Sequence, residues 1–135
     1  MKISNIAPLE VLRTIMIDSG FNDDIYVSKA PTSALPSSYT TIHQNGAIST
    51  NLSKMGIVKG SILIENNVKM LSSGQRNERK HEIFMEKFDE LFKDNKNIEK
   101  DGYTFSLNTS SILYSGGGVI EGYTSDLINI NFIKI

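Results

Sequence analysis

The sequence has 135 residues, of which 39% are hydrophobic and 21% are charged, with a formal net charge of -1 at pH 7. A chain of this length forms one domain that buries roughly two-thirds of the surface exposed by its unfolded form, so it needs no covalent staples. The near-zero charge excludes a global field that would attract nucleic acid or an anionic membrane. The absence of cysteine excludes disulfides, thiolate nucleophiles and cysteine metal sites.

The N-terminal segment predicts a helix from about Ala7 to Ser19. Pro8 suits a first helical turn, where its missing N–H costs nothing, and Gly20 can adopt the left-handed conformation that ends a helix. One helical stripe is apolar and comprises Val11, Leu12, Ile15 and Met16. Ile25 and Val27 then predict a short strand.

Residues 28–56 are small, polar and rich in serine and threonine. Within them, Asn45-Gly46 separates residues 41–44 from residues 47–49. Asn-Gly adopts the two positive φ angles of a type I′ turn at little cost, so a β-hairpin is one interpretation. An irregular loop is the other, and the sequence leaves both open.

The clearest pattern is a long alternating segment from Ile57 to Leu71. Its apolar face carries Val58, Ile62, Ile64, Val68 and Met70, and its polar face carries Lys59, Ser61, Glu65, Asn67 and Lys69. This two-residue period predicts β-structure. Glu65-Asn66-Asn67 interrupts the apolar face, which indicates either a bulge or bend or two strands joined by a tight turn.

A second helix is predicted after Asn77, which can cap it. Its apolar stripe has the i, i+4, i+7, i+8 spacing of a helix lying on a sheet and comprises Phe84, Phe88, Leu91 and Phe92. Alternation then predicts strands at 103–107 and 128–132, separated by a flexible loop at 115–124. The fold prediction is therefore one α+β domain over residues 1–135, with a mainly antiparallel sheet and two helices packed on it.

The residue pattern gives no catalytic, cofactor-binding or metal-binding site. His43 lies in the candidate hairpin, and His81 lies among Glu78 and Glu82 on a mixed-charge helix, where a solvated position is the preferred interpretation. Asn67-Val68-Lys69 lacks the carboxylate of a metal-dependent nuclease motif. The glycines at 116–118 lack the lysine of a phosphate-binding loop. We therefore expect a protein that is not an enzyme and holds no cofactor.

The charges also argue against sequence-specific nucleic-acid binding. Residues 76–100 contain seven Lys or Arg and seven Asp or Glu, so the charged helix is locally neutral. Passive lining of a DNA channel would leave no signature and stays open. Loop tyrosines often mediate protein contacts, and four are predicted to fall in or beside loops: Tyr26, Tyr39, Tyr114 and Tyr123.

The order of elements resembles that of the tail terminator, or tail completion, proteins of long-tailed bacteriophages. In this chain, an N-terminal helix, a short strand and a Pro- and Ser-rich loop precede a long strand, which includes Lys59-Gly60-Ser61-Ile62-Leu63-Ile64. An amphipathic helix of Phe and Leu and two final strands follow. The resemblance covers nearly the whole chain and rests on element order and length. The 28–56 loop is longer than in compact members.

The resemblance implies a non-enzymatic virion subunit, assembled in the host cytoplasm. It implies a homohexameric ring that caps the tail tube in the particle's neck and joins it to the head connector. The expected partners are the tail tube protein and head–tail connector proteins, with passive DNA contact in the lumen and no membrane.

Two groups of residues are candidates for assembly contacts. The subunit-interface or lumen candidates are Lys59, Glu65, Asn67 and Lys69. The assembly-loop candidates are Tyr39, His43, Tyr114 and Tyr123. A head–tail adaptor of the same particle is the alternative function, and a stand-alone binding module or small enzyme is a further one.

Overall fold

The structure is a computed structural model, and it describes residues 7–21, 24–29, 36–49, 57–107, 113–115 and 122–134. Its helices are α1 (Ala7–Asp18) and α2 (Glu78–Leu91), with a short 3-10 turn at Lys93–Asn95. Its strands are β1 (Ile25–Val27), β2 (Ser38–Ser49), β3 (Val58–Lys69), β4 (Ile98–Lys100), β5 (Tyr103–Leu107), β6 (Leu113–Ser115) and β7 (Tyr123–Lys134).

The strands form one sheet in the order β1-β2-β3-β7-β5-β4, with β6 also paired to β7. β1 is parallel to β2, and every other pairing is antiparallel. The two helices pack on one face of this sheet, where their apolar residues join those of the strands in a single core. The predicted α+β class with a mainly antiparallel sheet is confirmed.

Helix α1 ends through a backbone motif that its sequence predicts. The N–H of Gly20 donates to the carbonyl of Ile17, and the N–H of Phe21 donates to the carbonyl of Met16. This pair of bonds is the Schellman arrangement, which requires a left-handed residue at its centre. Gly20 supplies it with a φ of 90°, and Phe21 then enters the core.

Replacing Gly20 by alanine should lower the free energy of unfolding by about 1 kcal/mol, because a side chain at positive φ is strained. The space around Gly20 is open, so the loss would come from the backbone and not from a steric clash. Urea denaturation measures it, and Gly20→Asn, which tolerates this conformation better, should lose less. An alanine variant as stable as the original would contradict this assignment.

The structure contradicts both interpretations of residues 41–49, the hairpin at Asn45-Gly46 and the irregular loop. Residues 38–49 form one continuous strand, β2, whose pairing with β3 shifts register between Asn45 and Ser49. The twelve-residue β3 continues alongside β2 and supplies a hydrogen-bonding partner past the Asn-Gly step. The chain therefore accommodates this step as an irregularity within a strand instead of reversing direction.

The long alternating segment is a single strand, β3, as the alternation predicts. The bulge, bend or tight turn expected at 65–67 is absent, because the register with β7 is unbroken from Val58 to Lys69. Asn66 and Asn67 both remain in the ladder with buried side chains. Polar partners from neighbouring strands allow them to stay there.

Helix α2 places its aromatic stripe in the core. Asn77 caps it as predicted, accepting a hydrogen bond from the N–H of Lys80. Phe88 contacts three other rings, with centroid distances of 5.4 Å to Phe21, 5.2 Å to Phe84 and 5.9 Å to Phe92. This aromatic cluster fastens α2 and the end of α1 to the same core.

Candidate functional site

The most unexpected feature is a buried histidine–aspartate pair between α2 and β7. His81 is 2% exposed. Its Nδ1 lies 2.5 Å from Oδ2 of Asp126, and its Nε2 lies 2.7 Å from Oγ1 of Thr124. The prediction that His81 is solvated is therefore wrong. His81 lies one helical turn before Phe84 on the stripe that faces the sheet.

The pair belongs to a larger polar network. Arg76, just before α2, donates from its Nη2 to Oδ1 of Asp126 at 2.8 Å. Asn66 on β3 donates from Nδ2 to Oδ2 of the same carboxylate at 3.3 Å. Thr40 on β2 donates to Oδ1 of Asn66 at 3.4 Å. The network therefore joins three strands to the beginning of α2.

The charge of Asp126 is maintained by its partners. Burial by itself raises the pKa of a carboxyl group, because it disfavours the charged form. Here the hydrogen bonds from His81 and Arg76 outweigh burial and hold the pKa of Asp126 below its ordinary value. Asp126 is therefore an anion at neutral pH, paired with the guanidinium of Arg76.

A pocket of about 240 Å³ opens beside this network, between α2 and the β2–β3 pair. Its polar lining includes Thr40 and Asn66, which are almost fully buried. Two lysines of α2 also line it, and the remaining lining is Phe21, Ser38, Val68, Ile83 and Phe84. The pocket combines apolar walls with hydrogen-bond donors and positive charge.

The sheet face opposite the helices, here called the helix-free face, carries the predicted interface candidates. Lys59 and Lys69 are exposed and Glu65 is half-buried. Asn67 differs, because only 1% of it is exposed and its Oδ1 accepts a 2.6 Å hydrogen bond from Ser125. Its side chain does not reach the surface of this chain, whereas the other three remain accessible.

The assembly-loop candidates, which were predicted in or beside loops or in the candidate hairpin, all lie on strands. Tyr39 and His43 are on β2, Tyr114 on β6 and Tyr123 on β7. Tyr39 is 1% exposed and packs edge-on against Tyr123 at 5.5 Å. His43 is half-buried and contacts Oγ1 of Thr41. The side chain of Tyr114 lies outside the described part of the structure.

The exposed half of the helix-free face is a polar groove across β3, β7 and β5. It has a volume of about 480 Å³ and is lined by Lys59, Ser61, Thr104, Ser106 and Asn131, among others. Side-chain hydrogen bonds run across the strands here, from Ser61 to Asn131 at 3.0 Å and from Asn45 to Asn129 at 2.7 Å. We call this surface the polar groove.

Sequence reasoning missed the buried network, although a signal for it exists. Asp126 has the same strand parity as Ile128, Ile130 and Phe132, so extending the apolar alternation of β7 backwards places it on the core side. His81 has helical spacing from Phe84 and Phe88. A polar residue that falls on a buried face of its own element is a candidate for a satisfied interior network.

Within the residues that the structure describes, no group of three or more His, Asp or Glu is arranged to hold a metal ion. Among the described helices, none has the length and apolar character needed to cross a bilayer.

Comparison with known proteins identifies the fold alone. No protein-family model matches the chain, and no curated protein matches it. A solved structure is similar over 99% of this chain and 97% of its own, with a TM-score of 0.61 and 12% sequence identity. Its name describes no activity, and a likeness at this identity shows a shared fold over the whole length.

Proposed function

We propose that this protein is a bacteriophage tail terminator, a non-enzymatic virion subunit of the neck. Copies of it form a ring, with a hexamer as the expected form, that caps the tail tube and joins it to the head connector. Its partners are then the tail tube protein and connector proteins, with passive contact to DNA in the lumen. The ring, the partners and the terminator role are all implied by the resemblance in element order.

The observation that carries the proposal is the polar groove, on a sheet that has helices packed on one face. A neighbouring subunit meeting such a surface exchanges protein–water hydrogen bonds for protein–protein ones, as in the polar rim of a protein interface. Lys59 lies at this groove, and Glu65 and Lys69 lie on the same helix-free face. These charges suit a contact that selects orientation, since charge complementarity fixes register between partners.

The edge of the sheet gives a second argument. β1 pairs with β2 only from Thr40 to Ile42, whereas β2 continues to Ser49. Beyond Ile42 no described strand lies on the outer side of β2. Long sheet edges are templates for pairing with another chain, and a ring of identical subunits would use such an edge at each interface.

The deciding experiment is tail length in particles that lack this protein. A terminator stops polymerisation of the tail tube, so its loss should produce overlong tails by electron microscopy. Tails of normal length that carry no heads would indicate the alternative, a head–tail adaptor. Normal, headed particles would contradict both.

A charge-removal variant tests the proposed surface. The triple replacement of Lys59, Glu65 and Lys69 by alanine should reduce ring assembly at least about tenfold, by removal of charged contacts. Since none of the three is buried, the monomer should remain folded by circular dichroism. Light scattering with the tail tube protein measures assembly.

The matched control replaces Glu86, Lys93 and Lys96, which are exposed on α2 and the segment after it. It changes the net charge by the same amount and should leave assembly intact. Equal assembly by both triple variants would refute the role of the helix-free face.

A further inference from the structure

We propose that the pocket between α2 and the β2–β3 pair is a binding site for a carboxylate carried on a small apolar group. This site is separate from the helix-free face, because Thr40, Asn66 and Val68 line it from the helix-bearing side of the sheet. The inference does not depend on the proposed function. It rests on the donors, the walls and the charge of the pocket.

The buried end of the pocket offers donors. Asn66 uses one N–H of its amide on Asp126, so the amide's second N–H is available to a bound acceptor. The Thr40 hydroxyl donates to Asn66 only at 3.4 Å, a long bond that a stronger acceptor could replace. Both residues are about 95% buried, which makes a bond to either one more favourable than at the surface.

The charge at the pocket is positive. Lys80 and Lys87 line it, and none of the described Asp or Glu residues does. Lys80 Nζ donates to Oγ of Ser37 at 3.0 Å, and Lys87 Nζ donates to the carbonyl of Gly20 at 2.7 Å. These acceptors are neutral, and an ammonium has three N–H groups. Among the described residues, neither lysine has a carboxylate within ion-pair distance, so each retains donors for an anion.

The apolar walls of the pocket favour a ligand that carries an apolar group next to its carboxylate. Phe21, Val68, Ile83 and Phe84 line the pocket. Ile83 is 38% exposed, so this large apolar side chain presents a solvent-accessible apolar wall to the pocket. A hydrated inorganic anion would leave these walls wet. A carboxylate with a short aromatic or branched tail would cover them, and the volume of about 240 Å³ suits a ligand of that size.

The negative charge of Asp126 does not prevent a carboxylate from binding in the pocket. It lies behind Asn66, and the guanidinium of Arg76 contacts it directly at 2.8 Å. The carboxylate ligand could come from a free metabolite-sized acid or from an acidic residue beside an apolar one on another protein. Both sources present the same chemistry to the pocket.

Titration of the ¹⁵N-labelled full chain with 3-phenylpropanoate tests the proposal. Saturable amide shifts are expected at residues 38–40, 66–68 and 80–87, with a dissociation constant on the order of 1 mM for a ligand of this size. The neutral 3-phenylpropanamide should bind about tenfold more weakly, because it lacks the charge-assisted bonds. Acetate, which lacks the apolar body, should give no saturation in the same range.

Variants locate the binding. Lys80→Met should weaken it about tenfold by removal of one charge-assisted bond, and Lys93→Met, on an exposed lysine outside the pocket, should not. Thermal unfolding of each variant shows that the fold is retained. Lys80 is chosen over Lys87 because Lys87 also contacts the end of α1.

A capped dipeptide, N-acetyl-Phe-Glu-amide, distinguishes the sources. Tighter binding than 3-phenylpropanoate would indicate an acidic protein segment as the natural occupant, and weaker binding a free small acid. If neither 3-phenylpropanoate nor the dipeptide saturates, or if the neutral amide binds as tightly as 3-phenylpropanoate, the proposal is wrong. Neither result bears on tail length, so this test and the test of the terminator role fail separately.

Discussion

Replacing Asp126 by asparagine is expected to lower the free energy of unfolding by about 3 kcal/mol at neutral pH, which would be a large fraction of a domain's stability. The substitution keeps the size of the side chain but removes its charge. Arg76, whose side chain is 10% exposed, then keeps a buried positive charge without this partner. The asparagine side chain has one acceptor oxygen instead of two, so it cannot accept from both Arg76 and His81 as the two carboxylate oxygens do. Urea denaturation measures the change.

The stability lost in Asp126→Asn should also depend on pH in a defined direction. The pKa of Asp126 is lower in the folded chain than its ordinary value of 3.8. Its contribution is therefore complete above the unfolded pKa and is lost as pH falls through the folded pKa. The stability difference between the original protein and Asp126→Asn should shrink steadily as the pH is lowered below about 5.

Asp89→Asn is the control, because Asp89 is exposed on the opposite side of α2. It should change stability by no more than about 0.5 kcal/mol. A loss for Asp126→Asn that is as small as this, or that does not vary with pH, would show that the buried network does not stabilise the fold.

Replacing Phe88 by alanine should cost about 4 kcal/mol, the range observed for large aromatic residues in cores. Phe88 is 1% exposed and contacts the rings of Phe21, Phe84 and Phe92. Its removal leaves a cavity at the point where α2, the end of α1 and the sheet meet. Thermal and urea unfolding both report the loss.

Ile83→Ala on the same helix provides the comparison, since Ile83 is 38% exposed. It should cost no more than about 1 kcal/mol. Similar losses at the two positions would mean that the aromatic cluster does not dominate the packing of α2.

Local periodicity predicted most of the elements because it depends only on neighbouring residues. Each of these signals depends on residues of a single element. They are the apolar stripes of α1 and α2, the alternation of β3 and the helix stop at Gly20. Most residues on the predicted apolar faces therefore belong to the core or pack against it. These features are sufficient for the α+β class.

The error at Asn45-Gly46 has a different origin. The Asn-Gly turn signal is local, whereas the hydrogen bonds that keep residues 38–49 extended come from β3, a separate strand. The pairing with β3 outweighs the local turn preference. The ladder runs from Ser38↔Val68 to Asn45↔Ser61 and resumes with a shifted register at Ser49↔Lys59, so the strand continues past the turn signal. Short turn motifs therefore cannot be interpreted without the partner strand.

The sequence by itself determined the two helices, the strands with clear alternation and the apolar faces of these elements. Only the tertiary structure decided the strand order and the fate of the polar residues on those faces. His81 and Asp126 are 45 residues apart, and each is costly to bury unless the other is present. The hydrogen bond that offsets the cost of burying both residues joins α2 to β7, and no local sequence pattern specifies such a contact between distant elements. The same is true of the pocket, whose donors come from β2, β3 and α2 together.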